Sequence, residues 1–228
     1  IATLTLTGAN GCSDDTDTRQ ITWYDPPDAD AGSDIVTCTG TAAIAMTGAA
    51  ASGNYSGNPT WSGGGGSGTW TQNADPSLAT FTPTAASGSF TATLTLTGAD
   101  GCPDDTDTRQ ITWGTQPSAD AGSDIATCTG NAVIAMAGAT ASGTYSGNPS
   151  WSGGGGLGTW TQNADPALAT FTPFSGSGSF TATLTLTGAN GCSDDSDTRQ
   201  ITWGTQPVAN AGSDIVTCTG TAAIAMAG

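Results

Sequence analysis

Alternation of apolar and polar residues is the clearest pattern in this sequence. In the segment Phe90–Thr97 every second residue is apolar, and threonine fills each position between them. A period of two places the apolar side chains on one face of a β-strand and the threonines on the other. Ile111 and Trp113 continue the pattern beyond 99–101, whose composition is typical of a tight turn. The pattern therefore predicts a hairpin of two half-buried strands.

Short segments of similar character fill the rest of a 90-residue unit, separated by turns rich in glycine, asparagine and aspartate. About seven short strands at close spacing are typical of a two-sheet sandwich. We therefore expect an all-β fold of tandem immunoglobulin-like β-sandwich domains. The predicted strands are Asp34–Cys38, Ala42–Thr47, Thr60–Ser62, Thr69–Thr71, Ala79–Thr82, Ser89–Thr97 and Thr106–Trp113.

The whole pattern repeats with a period of 90 residues. The heptapeptide TLTLTGA begins at Thr3, Thr93 and Thr183, and 73 of 90 positions are identical between residues 31–120 and 121–210. Self-similarity at a fixed spacing is the signature of a repeat array. We expect an internal stretch of a longer array. Its domains would be part of a repeat at 1–30, complete repeats at 31–120 and 121–210, and part of a repeat at 211–228.

Charge narrows the classes of partner. All 19 acidic residues are aspartates, the basic residues are three arginines, and the formal net charge is −16. Such a chain has almost nothing with which to neutralise phosphates, so nucleic acid is not an expected partner.

No apolar run approaches the ~20 residues that a membrane-spanning helix needs, so membrane insertion is not expected. Because histidine, lysine and glutamate are absent, the usual general bases are missing, and we do not expect an enzyme.

Both ends of the repeat resemble a known group of proteins. The opening Ala29–Gly40 (ADAGSDIVTCTG) and the closing Thr93–Cys102 (TLTLTGADGC) are similar to the immunoglobulin-like, PKD-like repeats of giant surface proteins that gliding bacteria secrete by the type IX route. The resemblance implies an extracellular array with a role in surface attachment, motility or filaments. It does not imply one particular activity.

The cysteines occur at two phases of the repeat. A repeat protein is expected to pair them identically in each copy, and a secreted all-β array favours disulfides over free thiols. The favoured pairs lie within one repeat, Cys38 with Cys102 and Cys128 with Cys192. The objection to Cys38–Cys102 is that these residues should lie in turns at opposite ends of a standard sandwich, whereas their Cα atoms must come within ~7 Å to bridge. The rival pairing joins Cys38 to Cys192 and would lock one domain to the next. Pairing Cys12 with Cys38 is the least favoured.

A cluster of aspartates follows the second cysteine phase in every copy. Carboxylates grouped in a turn suit a hard, oxygen-liganded ion, so the sequence requires no cofactor and offers Ca²⁺ as the one candidate. The alternative is that these residues form turns and solubilise the chain, with Arg109 paired to Asp107 or a neighbour. The candidate ligands are Asp14, Asp15, Asp17, Asp104, Asp105, Asp107, Asp194, Asp195 and Asp197.

Aromatic and apolar residues around a glycine-rich loop predict a lateral interface. Two tryptophans flank the loop in each copy, and we expect one to pack inside while the other meets a neighbouring chain. Two loop positions become apolar in the second complete copy. The candidates are Trp61, Trp70, Trp151, Trp160, Leu157 and Phe174.

Two functional hypotheses follow from these features. The first is a structural repeat of a very long extracellular protein that associates with itself into a multi-chain filament, used for attachment to surfaces or other cells. The second is a single-chain adhesin stalk that presents a separate binding domain. Self-association distinguishes the two hypotheses.

Overall fold

The structure is a computed structural model that describes residues 1–216, 218 and 220. These residues are almost entirely β-strands and turns, and they form two compact units. The first unit comprises residues 1–116 together with 189–192, and the second comprises 117–188 with the described residues from 193 onward. Much of the predicted partial repeat 211–228 lies outside the described residues, and the division into repeat domains stays a prediction. Within the described part of the chain, no helix has the length and apolar character needed to cross a membrane.

The first unit opens with an isolated hairpin. Strands β1 (Ala2–Leu6) and β2 (Asp15–Arg19) pair antiparallel, with Leu6 opposite Asp15. Its apolar side chains are exposed, at 65% for Leu4 and 62% for Leu6. The hairpin therefore has the alternating pattern without a second sheet to cover it.

A nine-stranded sandwich makes up the rest of the first unit. One sheet has the strand order β4-β11-β10-β7, a second has β5-β9-β8, and β3 pairs with β6. A short 3-10 helix spans Pro76–Leu78. The strands are β3 Asp28–Asp30, β4 Ile35–Thr37, β5 Ile44–Ala45, β6 Ala50–Ser52, β7 Tyr55–Ser62, β8 Gly68–Thr71, β9 Thr80–Pro83, β10 Gly88–Gly98 and β11 Asp105–Trp113.

The predicted all-β fold and its central hairpin are confirmed. Strands β10 and β11 pair antiparallel from Gly88 opposite Trp113 to Leu96 opposite Asp105, and β4 joins the other edge of β11 in parallel. Each of the seven predicted segments contains or overlaps a strand. Strands β3 and β6 were not predicted, because three-residue segments of alanine, aspartate and serine carry little strand propensity or alternation.

The core lies between the two sheets and is built around aromatic rings. Phe81 lies at its centre, with ring centroids 4.6 Å from Phe90, 5.2 Å from Trp70 and 5.8 Å from Trp113. The alternating residues of β10 face the core as predicted, with Ala92, Leu94 and Leu96 at 0% exposure and Phe90 partly buried. Burial of one such leucine stabilises the fold by about 1.5–3 kcal/mol.

Glycine at 88 is explained by the ring that packs over it. A Cβ atom added to Gly88 would lie 2.5 Å from Cζ2 of Trp113, well inside van der Waals contact. The backbone there is not in the left-handed region, so the close approach of the indole is what requires glycine. Part of the unusual glycine content therefore serves the packing of aromatic rings.

The second unit repeats this architecture. Its sheets have the orders β13-β20-β19-β16 and β14-β18-β17, with β12 paired to β15, and a 3-10 helix spans Pro166–Leu168. The strands are β12 Ser118–Asp120, β13 Ile125–Thr127, β14 Ile134–Ala135, β15 Thr140–Ser142, β16 Tyr145–Ser152, β17 Gly158–Thr161, β18 Thr170–Pro173, β19 Gly178–Gly188 and β20 Asp195–Trp203.

Candidate functional site

The aspartate cluster of the first sandwich binds backbone amides. Asp105 Oδ2 accepts a 2.7 Å hydrogen bond from the N–H of Ala29, and Asp107 Oδ2 accepts one of 2.8 Å from the N–H of Ala31. Asp104 Oδ1 accepts a 2.9 Å bond from Gly98 N, which closes the end of the β10–β11 hairpin. These carboxylates therefore have structural partners that a neutral side chain would satisfy less strongly.

Arg109 follows the aspartates on β11 and reaches the same stretch of chain. Its side chain is only 4% exposed, and its two terminal nitrogens donate to the carbonyls of Ser33 and, at 3.1 Å, Thr47. Burial lowers the pKa of this guanidinium from its ordinary value, and the nearby carboxylates of Asp34 and Asp30 oppose that shift. The predicted alternative, a pair with Asp107, is replaced by bonds to backbone carbonyls.

These contacts share one spacing and form one feature. Ala29 with Asp105, Ala31 with Asp107 and Ser33 with Arg109 are each 76 residues apart. Asp34 Oδ1 accepts from Gln110 N at the same separation, and the backbone pairs of β4 with β11 then continue the register from Ile35 and Ile111. We call residues 29–37 the strap. The strap runs parallel to β11, held first by side chains and then by a backbone ladder.

The second unit has the same strap, at residues 119–127. Asp195 accepts from Ala119 N at 2.7 Å and Asp197 from Ala121 N at 2.8 Å, while Arg199 donates to the carbonyl of Ser123. The spacing is again 76 residues. The motif Asp-Asp-x-Asp-x-Arg therefore holds the strap in both sandwiches.

The isolated hairpin carries the third copy of the motif. There Asp14 Oδ1 accepts a 2.9 Å bond from Gly8 N, as Asp104 does in the first sandwich, and Asp17 accepts from the adjacent Thr18 N. Asp15 and Arg19 are exposed. The local turn bond therefore forms in the hairpin by itself, whereas the strap bonds occur where a strap is present.

The calcium prediction finds no support in this geometry. Among the described residues, no group of three or more histidine, cysteine, aspartate or glutamate side chains is placed to hold a metal ion. The three aspartates of each sandwich instead point their oxygens at different backbone amides along the hairpin and the strap. We therefore assign the cluster a structural role.

The tryptophans divide as the sequence suggested, one inside and one further out. Trp61 is 3% exposed and donates from Nε1 to the carbonyl of Pro76 at 3.1 Å, and Trp151 is equally buried. The prediction that Trp61 and Trp151 belong to a lateral interface is therefore wrong, since their indoles lie in the core. Trp70 stacks on Trp61 with ring centroids 5.6 Å apart and is partly exposed, like its counterpart Trp160.

The two apolar loop positions also differ from each other. Leu157 is half-buried and packs against the second core, while Phe174 is 63% exposed. Trp70, Trp160 and Phe174 therefore remain candidates for contact with another chain, and Leu157 is better explained by packing within its own unit.

The disulfide differs from the favoured pairing. Cys38 is bonded to Cys192, with Cα atoms 4.8 Å apart and 154 residues between them in sequence. The intrarepeat pair Cys38–Cys102 is therefore wrong, and the rival pairing is the one found. Cys128 is free and exposed, so the pair Cys128–Cys192 is wrong as well. The physical reason is position: Asn190 donates to the carbonyl of Trp113 and Gly191 packs against the backbone of Val36 and Thr37, which brings Cys192 beside Cys38.

An open groove of about 680 Å³ lies beside the strap in the first unit, lined in part by Asp30, Asp34, Thr47 and Arg109. Sequence reasoning did not find it, because its lining combines residues between 30 and 48 with Arg109, which lies 62 positions after Thr47. Its buried cation is already engaged by two carbonyls. The groove is therefore a by-product of how the strap crosses the sandwich.

Comparison with known proteins agrees with the architecture. No model of a protein family matches the chain, and no curated protein matches it. Among solved structures, Sidekick-1 immunoglobulin domains 1–4 align with a TM-score of 0.50 at 11% identity, over 87% of this chain and 56% of that one. The I67–I69 fragment of titin gives 0.44 at 14% identity, over 78% and 65%. The insect immune protein hemolin gives 0.47 at 12%, over 89% and 55%.

The chain thus spans between about half and two thirds of the length of these proteins. The Sidekick-1 fragment is described as immunoglobulin domains. At such low identity the likeness concerns the fold alone. The sheet order and the likeness to Sidekick-1 together show that the chain consists of tandem immunoglobulin-like β-sandwich repeats.

Proposed function

We propose that this chain is a structural repeat of a long extracellular protein that associates with itself into a multi-chain filament. The observation that carries the proposal is the sameness of the two sandwiches at exposed positions as well as in the core. A binding protein needs one recognition surface, whereas a filament presents the same surface at every repeat.

The face of the β10–β11 hairpin opposite the core illustrates this sameness. Ser89 lies 3.0 Å from Thr112 and Thr91 donates to Gln110 at 3.0 Å between side-chain oxygens. The equivalent side chains of the second unit make the same bonds, at 2.9 and 3.0 Å. The same polar ladder on each repeat is a surface that a neighbouring chain could contact in the same way at every repeat.

Two further features favour an extracellular setting. The structure contains a disulfide, and such bonds persist in oxidising compartments. The formal net charge of −16 comes with three arginines as the sole basic residues, which keeps a chain soluble at high local density. Attachment to surfaces or other cells would then be the task of the assembled filament.

Lateral contact is proposed at the aromatic positions that solvent reaches. Trp70 and Trp160 are partly exposed and occur in both copies, and Phe174 adds an exposed ring in the second copy only, where the first copy has Thr84. Aromatic residues are enriched in the buried centres of protein interfaces. Substituting Phe174 with threonine, the residue at the equivalent position of the first copy, is therefore the mildest change that tests this surface.

Electron microscopy of the native secreted material is the experiment that tests the proposal. We expect a thick, regular filament with several chains in cross-section. Thin single strands that end in a distinct knob would contradict it and would support the single-chain adhesin stalk instead. Analytical ultracentrifugation of the chain and of its F174T variant gives a second measure, with weaker self-association expected for the variant.

A further inference from the structure

The turn that carries Cys192 is seated on the first unit by three separate contacts. Cys192 is bonded to Cys38, and Asn190 Nδ2 donates a 3.1 Å hydrogen bond to the carbonyl of Trp113. A Cβ atom added to Gly191 would lie 3.2 Å from the backbone of Val36 and of Thr37. We call Ala189–Cys192 the turn, and residues 36–38 with Trp113 the socket. The turn is therefore fitted to the socket by shape and hydrogen bonding as well as by the bond itself.

The two other cysteine turns have the same conformation without being bonded. Asn10 and Gly11 have φ values of 58° and 89°, Asp100 and Gly101 of 51° and 88°, and the seated turn has 53° and 80°. In each, the cysteine N–H donates to the carbonyl three residues earlier, at 3.2, 2.9 and 3.0 Å respectively. The turn is thus preformed, and docking does not have to reorganise it.

The second unit contains an equivalent socket, at residues 126–128 with Trp203. In the first unit Gly114 N donates to Thr37 O at 3.0 Å and Gly40 N to Gly114 O at 2.7 Å. In the second unit the corresponding bonds, Gly204 N to Thr127 O and Gly130 N to Gly204 O, are both 2.9 Å. The socket backbone therefore has the same form whether or not a turn occupies it.

We propose that Cys128 and Cys102 carry this same bond to neighbouring copies of the repeat, so that every repeat is joined to the next through a turn and a socket. The formed bond spans 154 residues, and the repeat is 90 residues long. Cys128 would then be bonded to the turn cysteine of the copy that follows 121–210. Cys102 would be bonded to the socket cysteine of the copy that precedes 31–120. This proposal rests on the proposed function, because it requires further copies on both sides.

Formation of the bond is an ordinary thiol–disulfide exchange. Two cysteine thiols give up two protons and two electrons, one S–S bond forms between them, and a disulfide oxidant such as glutathione disulfide is reduced to two thiols. Cys128 is exposed and Cys102 is partly exposed, so an oxidant reaches both. The reaction needs no group beyond the two cysteines and that oxidant.

The turns are not equally suited to the socket. Asn190 donates from its side-chain amide to the socket carbonyl, and Asn10 carries the same amide, whereas the carboxylate of Asp100 accepts hydrogen bonds only. In the first unit Asp100 instead accepts from Asn54 Nδ2 at 3.1 Å. We therefore expect the bond at Cys102 to form more slowly than the bond at Cys38.

Insertion of one further copy tests the proposal. A second copy of residues 121–210 is inserted after Asn210, the protein is oxidised with glutathione disulfide, and its disulfides are mapped by mass spectrometry without reduction. The original chain, with one disulfide and four free cysteines, is the reference. We expect one additional disulfide, between Cys128 and the turn cysteine of the inserted copy.

The retained Cys38–Cys192 bond shows in the same map that the extended protein has folded. The proposal is overturned if Cys128 stays free in such a protein, or pairs with any cysteine other than the inserted turn cysteine. A matched variant with serine at the inserted turn cysteine should leave Cys128 free. Filaments without the additional bond would refute this inference alone, and the additional bond without self-association would refute the proposed function alone.

Discussion

Asp107 accepts a 2.8 Å hydrogen bond from the backbone N–H of Ala31, a fully buried residue 76 positions earlier in the chain. A strand at a sheet edge is ordinarily held by its backbone. Here the strap begins in β3, whose backbone pairs with β6, and carboxylates and a guanidinium attach it to β11 until its backbone joins the ladder of β11 from Ile35 onward. Side chains thereby occupy an edge that would otherwise be open to other strands.

Replacement of Asp107 by alanine should destabilise the first unit. The amide of Ala31 would lose its partner in a buried position, at a cost of about 1–3 kcal/mol in the free energy of unfolding. D107N keeps an oxygen acceptor and should cost less. Urea unfolding followed by tryptophan fluorescence measures both changes.

The isolated hairpin supplies the control for this substitution. Asp17 holds the equivalent position but bonds to the adjacent Thr18 N, so D17A should change stability by less than about 0.5 kcal/mol. Repeating the D107A measurement in a calcium chelator separates the two roles of the cluster. A loss seen with calcium and abolished in chelator would contradict the structural assignment.

Arg109 and Arg19 form a second matched pair. Substituting Arg109 with methionine keeps the bulk of the side chain but removes both donors to the carbonyls of Ser33 and Thr47. We expect a loss of about 1–3 kcal/mol in the free energy of unfolding. R19M alters an exposed side chain and should leave thermal unfolding nearly unchanged. Equal effects of the two substitutions would refute the strap's dependence on Arg109.

Gly88 tests the packing of the indole over the backbone. The methyl group of G88A would overlap the Trp113 ring, and overpacking of this kind costs about 1–3 kcal/mol. G65A is the control, since a Cβ atom there meets nothing within 4 Å. Chemical denaturation of the two variants gives the comparison. Equal stabilities would show that the ring can shift without cost.

Asp75 provides a prediction for pH. Hydrogen bonds from the Ser77 hydroxyl, at 2.7 Å, and then from the Ser77 N–H, at 2.9 Å, lower the pKa of Asp75 below its ordinary value. A lowered pKa in the folded state means that the bonds stabilise the fold above about pH 4, the ordinary range of aspartate. That contribution fades as the pH falls through the lowered pKa.

Carbon-detected NMR titration of Asp75 checks this directly. S77A removes the hydroxyl and keeps the N–H, so the titration midpoint should move up toward the ordinary value while the turn persists. A midpoint that S77A leaves unchanged would show that the hydroxyl does not hold the carboxylate.

Alternation and repetition were enough to predict the all-β fold and the β10–β11 hairpin, because both signals are local. Strands β3 and β6 were missed for the opposite reason, since each is fixed by its partner across the sheet rather than by its own three residues. The constant spacing of 76 between the strap and the Asp-Asp-x-Asp-x-Arg motif is present in the sequence. That spacing can be recognised as the register of the strap against β11 only when the parallel pairing of β4 with β11 is known.

The role of the aspartates shows where composition misleads. Clustered carboxylates suit calcium and backbone amides equally well, and the sequence does not show where buried N–H groups need acceptors.

The pairing of the cysteines could not be predicted from the sequence either. Identical repeats allow every pairing that keeps the period, so the choice between Cys102 and Cys192 depends on which turn meets Cys38.

The bond between Cys38 and Cys192 also determines how the chain would respond to being pulled. Tension that enters at Cys38 passes through the two sulfur atoms to Cys192, and the residues between them carry none of it. Fully drawn out, that enclosed segment would add about 500 Å at ~3.3 Å per residue. The oxidised protein is therefore inextensible over this stretch even if a repeat within it unfolds. Reduction of the bond would allow the segment between Cys38 and Cys192 to extend under tension.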